Sequence, residues 1–355
     1  MTTLPDIPPY SINKADKEKL LSPILTALSR HHYSCCPPYR KMMDAIGFDP
    51  ARDYPYPCLP FLPVQLFGML ELRSLPQEKI VRTLTSSGTS GKMRSQVFLG
   101  RETAANQLNV LERIVSSFIG SRRMPMIIID SESILKNRKQ LSARAAGVLG
   151  FSLFGSERVF VLNDKMEPNH SLLESFLKAH RDGPMLIFGF TYHVYRFFFK
   201  ELEKSGLHPD LSNAVLIHGG GWKKMEQESV SPAVFRKSAS EVCGIHRVHD
   251  YYGMAEQTGT IHMECEYGHY HTPVWGDVII RRPLDFSPAG IGEEGIIEVL
   301  SILPVSYPGH ALLTDDTGIL LGEDDCLCGR LGKYFNITGR IEQACLKGCS
   351  DAYEE

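Results

Sequence analysis

Thr85-Ser86-Ser87-Gly88-Thr89-Ser90-Gly91-Lys92 is the stretch around which the rest of the chain is organised. Its two glycines let the backbone approach a ligand closely and adopt φ > 0, its hydroxyls donate hydrogen bonds, and its lysine supplies positive charge. A polyphosphate needs that combination. The stretch is not a Walker A loop, because Ser86 stands where the first glycine belongs and Met93 follows the lysine where Ser or Thr would hold Mg2+. It is not a G-x-S-x-G nucleophile elbow either, since Gly91 follows Ser90 directly. Taken alone, a Ser/Gly/Thr run reads equally well as a flexible surface loop, so its surroundings have to decide.

Those surroundings alternate. MPMIIID (124–130), RVFVLN (158–163), PMLIFGF (184–190) and AVLIHGGG (214–221) are short, largely apolar and bounded by turn residues, as buried strands are. Between them lie helical periods: Leu108, Leu111, Val115 and Phe118 within 102–119, with similar patterns over 171–180 and 192–204. Strand–helix alternation predicts right-handed βαβ units and a mainly parallel, helix-covered sheet. After residue 272 the helical periods fade, and DVIIR, GIIEVLS and HALLTDD, separated by Pro/Gly turns, predict a smaller β-rich subdomain. Residues 1–80, with PPY, CCPPY and YPYPCLPFLP, read as short helices and proline turns that wrap a core. The expected units are therefore 1–80, 81–272 as the α/β nucleotide- and acyl-binding core, 273–338, and a tail from 339 to 355.

Composition excludes several classes. A chain of 355 residues with 43% hydrophobic and 22% charged residues has the make-up of a globular protein with a large core. A net charge of −3 offers no footprint for nucleic acid or anionic lipid. The first twenty residues lack the basic-then-apolar order of a signal peptide, and no apolar run approaches the ~18–20 residues of a membrane span. The expected location is cytoplasmic. Nine cysteines, an odd number, argue against a disulfide framework. Five of them, Cys265, Cys326, Cys328, Cys345 and Cys349, crowd the last quarter, which suggests metal binding or thiol chemistry.

The 85–92 run resembles the ATP loop of the adenylate-forming superfamily, and three later segments follow that superfamily's order. Asp250-Tyr-Tyr-Gly-Met-Ala-Glu256 resembles its Y-G-x-T-E motif, with Ala255 replacing threonine. Leu313-Thr-Asp-Asp316 stands where an aspartate holds the ribose, and Thr338-Gly-Arg340 resembles the hinge motif. A narrower resemblance covers nearly the whole chain. Gly219-Gly-Gly-Trp-Lys-Lys-Met225, Tyr252–Gly259, Met263-Glu-Cys-Glu266, Ser306-Tyr-Pro-Gly-His310, Glu323–Arg330 and Gly348-Cys-Ser-Asp351 are similar to segments of the acyl-protein synthetases of bacterial bioluminescence, the long-chain-fatty-acid–luciferin-component ligases. Phenylacetate–coenzyme A ligases, which share the C-x-C-G-R segment, are similar more distantly.

That resemblance implies an α/β adenylate-forming domain that activates a long-chain fatty acid with ATP and Mg2+. It assigns the β- and γ-phosphates to Ser86, Ser87, Gly88, Thr89, Ser90, Gly91 and Lys92. It gives the nucleotide to Gly220, Tyr252 and Gly253, with Tyr252 on the adenine, and Mg2+ to Glu256. Asp316, preferred to Asp315, would hold the ribose, and Arg340 the ribose or a phosphate. His193, just past the 184–190 strand, would face the substrate carboxylate or serve as a packed wall residue. Cys349 would carry the acyl group as a thioester before an acyl-reductase partner takes it, with Cys345 the competing candidate. Relatives usually continue past the hinge into a lid domain, whereas 355 − 340 = 15 residues follow Arg340, so no lid is expected.

Cys326-x-Cys328 with Cys265 and one histidine, His269 or His271, would make a tetrahedral structural Zn2+ set, although the spacing matches no standard finger. The resemblance to phenylacetate–coenzyme A ligases implies zinc there and prefers His271, which precedes the next strand-like segment. The plain alternative is free buried cysteines and surface histidines. Two other functions fit the same motifs. One is adenylation with coenzyme A or a carrier protein as acceptor, and the other is a degenerate fold that binds nucleotide or acyl chain without turnover.

Overall fold

The structure, a computed structural model, describes residues 6–85, 95–136, 140–222 and 228–341. Its helices are α1 (Lys14–Cys35), α2 (Pro37–Ala45), α3 (Leu66–Met69), α4 (Arg101–Ile119) and α5 (Ala143–Phe151). They are followed by α6 (His170–Ala179), α7 (Thr191–His193), α8 (Lys200–Ser205) and α9 (Pro232–Cys243). The first strands are β1 (Leu62–Pro63), β2 (Ile80–Thr85), β3 (Gln96–Gly100), β4 (Met124–Ser131) and β5 (Gln140–Ser142). Then come β6 (Gly155–Leu162), β7 (Met185–Phe190), β8 (Ala214–Gly219), β9 (Arg247–Tyr252) and β10 (His262–Glu264). The last are β11 (Tyr270–His271), β12 (Gly276–Arg281), β13 (Glu294–Ser301), β14 (Ala311–Glu323) and β15 (Lys333–Arg340).

One large mixed sheet runs β12-β13-β14-β15-β11-β10-β9-β8-β7-β4-β6, with β1 added to β14. β4, β6, β7, β8 and β9 pair in parallel, as the apolar runs predict. From β9 to β12 successive strands pair antiparallel, and the added β1 pairs with β14 in parallel. The β11–β15 ladder therefore joins the β-rich 276–340 stretch to the parallel half without a break in hydrogen bonding. β2, β3 and β5 form a separate small sheet in which Thr85 pairs with Gln96, so the two flanks of the 85–92 run lie side by side.

α4 shows why helical periodicity alone misplaces a face. The spacing puts Leu108 inside, yet it is 44% exposed. The buried face is Gln107, Val110, Leu111, Ile114, Val115 and Phe118. Gln107 faces inward because its amide donates to the Tyr307 hydroxyl, and a polar residue on the core face disguises the stripe.

α1 binds the N-terminal segment to the sheet through more than its buried Leu21 and Leu25. Lys17 Nζ, 1% exposed as a residue, donates to Thr272 Oγ1 at 2.7 Å and lies 3.4 Å from Asp277 Oδ1 in β12. Lys333 of β15 and Tyr56 complete the cage around Asp277 at 3.0 and 2.5 Å. Burial alone would raise the Asp277 carboxyl, but the two ammonium groups and the Tyr56 hydroxyl outweigh it and hold the group well below the usual carboxylate range. Among the described residues no helix is long and apolar enough to cross a membrane.

Candidate active site

The parallel half has its carboxyl ends in register: Ile129 of β4 lies opposite Gly189, Phe190 of β7 opposite Gly219, and Gly219 of β8 opposite Tyr251. In open α/β sheets ligands bind outside those ends. Four of the expected site residues lie at these strand ends: Gly220 and Gly253 directly after β8 and β9, Tyr252 as the last residue of β9, and His193 in α7 just past β7. Gly220 has φ +81°, and a Cβ there would stand 2.8 Å from the Phe190 ring, so only glycine lets the chain turn this closely over the strand edge.

Glu256 sits in the short turn Ala255–Gln257 after β9. It is 5% exposed. Burial pushes its carboxyl above the usual range, while a hydrogen bond from Ser95 pulls the other way. Ser95 is the first described residue after the 85–92 run, so that run's outgoing flank touches the motif glutamate. Ser86, Ser87, Gly88, Thr89, Ser90, Gly91 and Lys92 themselves lie outside the described residues, as do Cys345 and Cys349.

β14 and β15 bring the other nucleotide candidates together by register, since Asp316 is the cross-strand partner of Arg340. Arg340 Nε lies 3.6 Å from Asp316 Oδ1, and its Nη2 lies 3.7 Å from Asp315 Oδ2. The Tyr252 hydroxyl donates to Asp316 Oδ2 at 2.8 Å, and its ring stacks on His262 with centroids 6.1 Å apart. Burial raises the Asp316 carboxyl, with Arg340 and the Tyr252 hydrogen bond opposing. The Arg340 side chain is 56% exposed, so the cluster opens to solvent on that side.

His193 stands apart from this cluster. Its Nδ1 is 3.9 Å from Asp130 Oδ2, and Asp130 also takes the Arg144 guanidinium, whose Nε donates to Oδ2 at 2.7 Å. The ring lies against Phe190 and Phe197. That environment fits the packed-wall reading as well as a carboxylate-facing one.

Several contacts had no local signal in sequence. Gln65, inside the proline-rich segment, donates to Asp315, a partner 250 positions away. The Ser95–Glu256 contact likewise joins distant segments, and the Asp130–Arg144 pair behind His193 links β4 to α5 14 positions on.

The cysteine cluster assembles. Ligand atoms of Cys265, His271, Cys326 and Cys328 all lie within 4.8 Å of one another. Cys265 follows β10, His271 is in β11, and Cys326 and Cys328 are in the turn between β14 and β15. Cys328 Sγ is 3.3 Å from His271 Nε2, and Tyr334 stacks on the His271 ring. His269 approaches Cys326 Sγ at 3.5 Å but is not one of the four. Burial pushes the Cys326 thiol up to about 12 and lowers His271 to about 4. Three soft sulfur donors and one imidazole in a closed, buried group fit Zn2+ in a structural role, and a bound cation would reverse that thiol shift. Four protein donors leave no open position for chemistry.

The chain matches the family described as Acyl-protein synthetase, LuxE over residues 4–355. It is 22% identical over 354 residues to the long-chain-fatty-acid–luciferin-component ligase of Vibrio harveyi, covering 96% of this chain and 89% of that one. With the Aliivibrio fischeri protein of the same name it shares 24% over 306 residues, 82% of this chain and 77% of the other. Among solved structures, an open conformation of 2-hydroxyisobutyryl-CoA ligase in complex with 2-HIB-AMP and CoA matches with a TM-score of 0.74 at 16% identity, covering 97% of this chain and 80% of that one. A long-chain-fatty-acid-CoA ligase from Archaeoglobus fulgidus matches with 0.51 at 16%, covering 75% and 52%. These structures establish the adenylate-forming fold. Over nearly its whole length, then, this chain belongs to the acyl-protein synthetase, LuxE family, and it is an acid–thiol ligase on that fold.

Proposed function

We propose that the protein activates a long-chain fatty acid with ATP and passes the acyl group to its own Cys349 for delivery to an acyl-reductase partner. The fatty-acid carboxylate attacks the α-phosphorus of ATP, forming the acyl-adenylate and releasing diphosphate. The Cys349 thiolate then attacks the acyl carbon, forming a thioester and releasing AMP. In the first step an anion approaches a polyanion, so the work is charge neutralisation and alignment. The 86–92 run would cradle the β- and γ-phosphates. Glu256 would hold the Mg2+, which supplies neutralising charge. Tyr252 would line the adenine, with Asp316 on the ribose hydroxyls and Arg340 at the ribose or phosphate.

The observation that supports this reading best is the contact of Ser95 with Glu256, which ties the flank of the hydroxyl-rich loop to the candidate metal carboxylate. Both would have to meet at one triphosphate. The test is fatty-acid-dependent ATP–diphosphate exchange, followed by mapping of hydroxylamine-sensitive label from a labelled fatty acid. Wild type should exchange and become labelled, and Cys349→Ala should exchange without labelling. Label persisting on that variant would move the acceptor to Cys345 or elsewhere. Label appearing only on added coenzyme A or carrier protein would replace self-acylation by ligation. A complete lack of exchange with any acid would leave a ligand-binding protein without turnover.

A further inference from the structure

The Ser306-Tyr307-Pro308-Gly309-His310 segment is among the most distinctive in the sequence, yet the reading above gives it no task. Its hydrogen bonds reach both sides of the place where Ser95 meets Glu256. On one side Ser306 Oγ donates to Phe98 O at 2.8 Å, and its N–H donates to Thr103 Oγ1 at 3.2 Å. Phe98 belongs to β3, the strand that leads out of the 85–92 run.

On the other side Tyr307, which is fully buried, donates its hydroxyl proton to the Glu256 backbone oxygen at 2.9 Å. A carbonyl only accepts, so the single hydroxyl proton is spent there. The oxygen is then free to accept Gln107 Nε2 of α4 at 3.3 Å. Next along the chain, Gln257 Nε2 donates to Gly309 O at 2.8 Å and to Val299 O at 3.0 Å. Loop and turn lie so close that a Cβ on Gly309 would stand 2.3 Å from the Tyr307 ring and 2.8 Å from Glu256 O. The turn carrying Glu256 is thus held from below by one hydroxyl and from the side by one glycine. A phenylalanine would fill the same apolar space against Phe67 but would leave the Glu256 carbonyl without that donor.

We infer that Tyr307 is a positioning residue: the 306–310 loop braces the outgoing strand of the phosphate run against the Glu256 turn, and the Tyr307 hydroxyl sets where the Glu256 carboxyl stands. The inference rests on the reading of Glu256 as the Mg2+-holding carboxylate.

The test is the Mg2+ dependence of ATP–diphosphate exchange at fixed ATP and fatty acid, well below the unfolding temperature, in wild type, Tyr307→Phe and Glu256→Gln. Tyr307→Phe should raise the half-saturating Mg2+ concentration by about five- to tenfold, the factor that one hydrogen bond of ordinary net worth carries. The fatty-acid KM should stay within about twofold, a separation that general loosening of the fold would not produce. Gln107→Met, which removes the donor to the hydroxyl, should shift the Mg2+ requirement in the same direction by less. It reads the same brace if Tyr307→Phe yields no folded protein. If Glu256→Gln raises the Mg2+ requirement and neither Tyr307→Phe nor Gln107→Met does, the inference is wrong and the Glu256 reading stands. If Glu256→Gln leaves the requirement unchanged, the metal role fails and the inference goes with it. A fall in kcat together with a rise in fatty-acid KM at unchanged Mg2+ dependence would also overturn it, because that pattern belongs to a purely structural tyrosine.

Discussion

Two corners of the sheet are built on opposite electrostatic plans. At the cysteine corner, three thiols and an imidazole converge within 4.8 Å and are largely buried. They have no opposite charge among themselves; the Arg330 guanidinium beside Cys328 offsets part of the cost of holding them as thiolates, and a bound cation would offset the rest. At the proposed nucleotide edge, groups of opposite sign already satisfy one another: Tyr252 donates to Asp316, and Arg340 lies across both Asp315 and Asp316. A ligand there has to share or displace existing partners, and the half-exposed Arg340 can swing to do so. The first corner should therefore contribute to stability and the second to turnover. That division can be broken by experiment.

The largest expected effect is at the catalytic side. Glu256→Gln should lower exchange by about 10²–10³-fold, the range typical for loss of one preorganised charge-stabilising group. Its unfolding temperature should hold or rise, since burial already disfavours the charge. A variant that lost activity only by unfolding would erase the distinction between the corners. Next, Cys328→Ser should lose bound zinc by elemental analysis and about 2–4 kcal/mol of stability by urea unfolding, as removing one ligand opens a structural site. Its exchange rate at 25 °C should change by no more than about threefold. Wild-type protein purified without zinc, or unchanged stability in the variant, would remove the metal from the comparison. Smaller again, Asp316→Asn should raise the KM for ATP about tenfold, the value of one charge-assisted hydrogen bond, with the fatty-acid KM unaffected. If Asp315→Asn does this instead, the ribose role moves one residue along the strand.

Much of this was legible before any coordinates. The parallel strands β4, β7 and β8 announce themselves because strands buried on both faces carry uninterrupted apolar runs, and the edge strand β6 shows such a run only over its second half. Cys265, Cys326 and Cys328 were traceable because cysteines crowd the last quarter of the chain, whereas the choice of His271 over His269 came from the resemblance to phenylacetate–coenzyme A ligases. What stayed hidden was held by long-range polar contacts. Gln107 breaks the apolar stripe of α4 to serve Tyr307, and Gln65 serves Asp315 from the N-terminal segment. Neither leaves a periodic trace, because a single hydrogen bond depends on where two distant elements come to rest. The same holds for the join between the halves of the sheet: β11 has only two residues, Tyr270 and His271, too few for an alternation pattern, yet it carries the pairing to β15.

The smallest effect separates the ground beneath the two corners. His310 ends the brace loop and is 1% exposed. Its Nε2 lies 2.8 Å from Ser29 Oγ, and its ring stacks on His32 at 5.0 Å. The groups facing it are His31, His32, Tyr39 and Ser29, none of them an acid. Burial therefore lowers His310 from 6.5 to about 3 without a counter-charge. Below pH 6.5 the unfolded chain takes up a proton that the folded chain refuses. The stability from this neutral ring is thus fully present above that pH and is lost as pH falls toward 3. Between pH 7 and pH 6 the loss is roughly 0.7 kcal/mol. Buried carboxyls such as Asp250 and Glu298, both raised to about 7, run the opposite way and would mask it in wild type alone. The difference between wild type and His310→Gln cancels them, while His32, which stays lowered by its own burial, contributes only its coupling to His310. Urea unfolding at the two pH values should show wild type losing that increment relative to the variant, with zinc content equal in both. An identical pH response would mean that the brace loop does not rest on a neutral histidine.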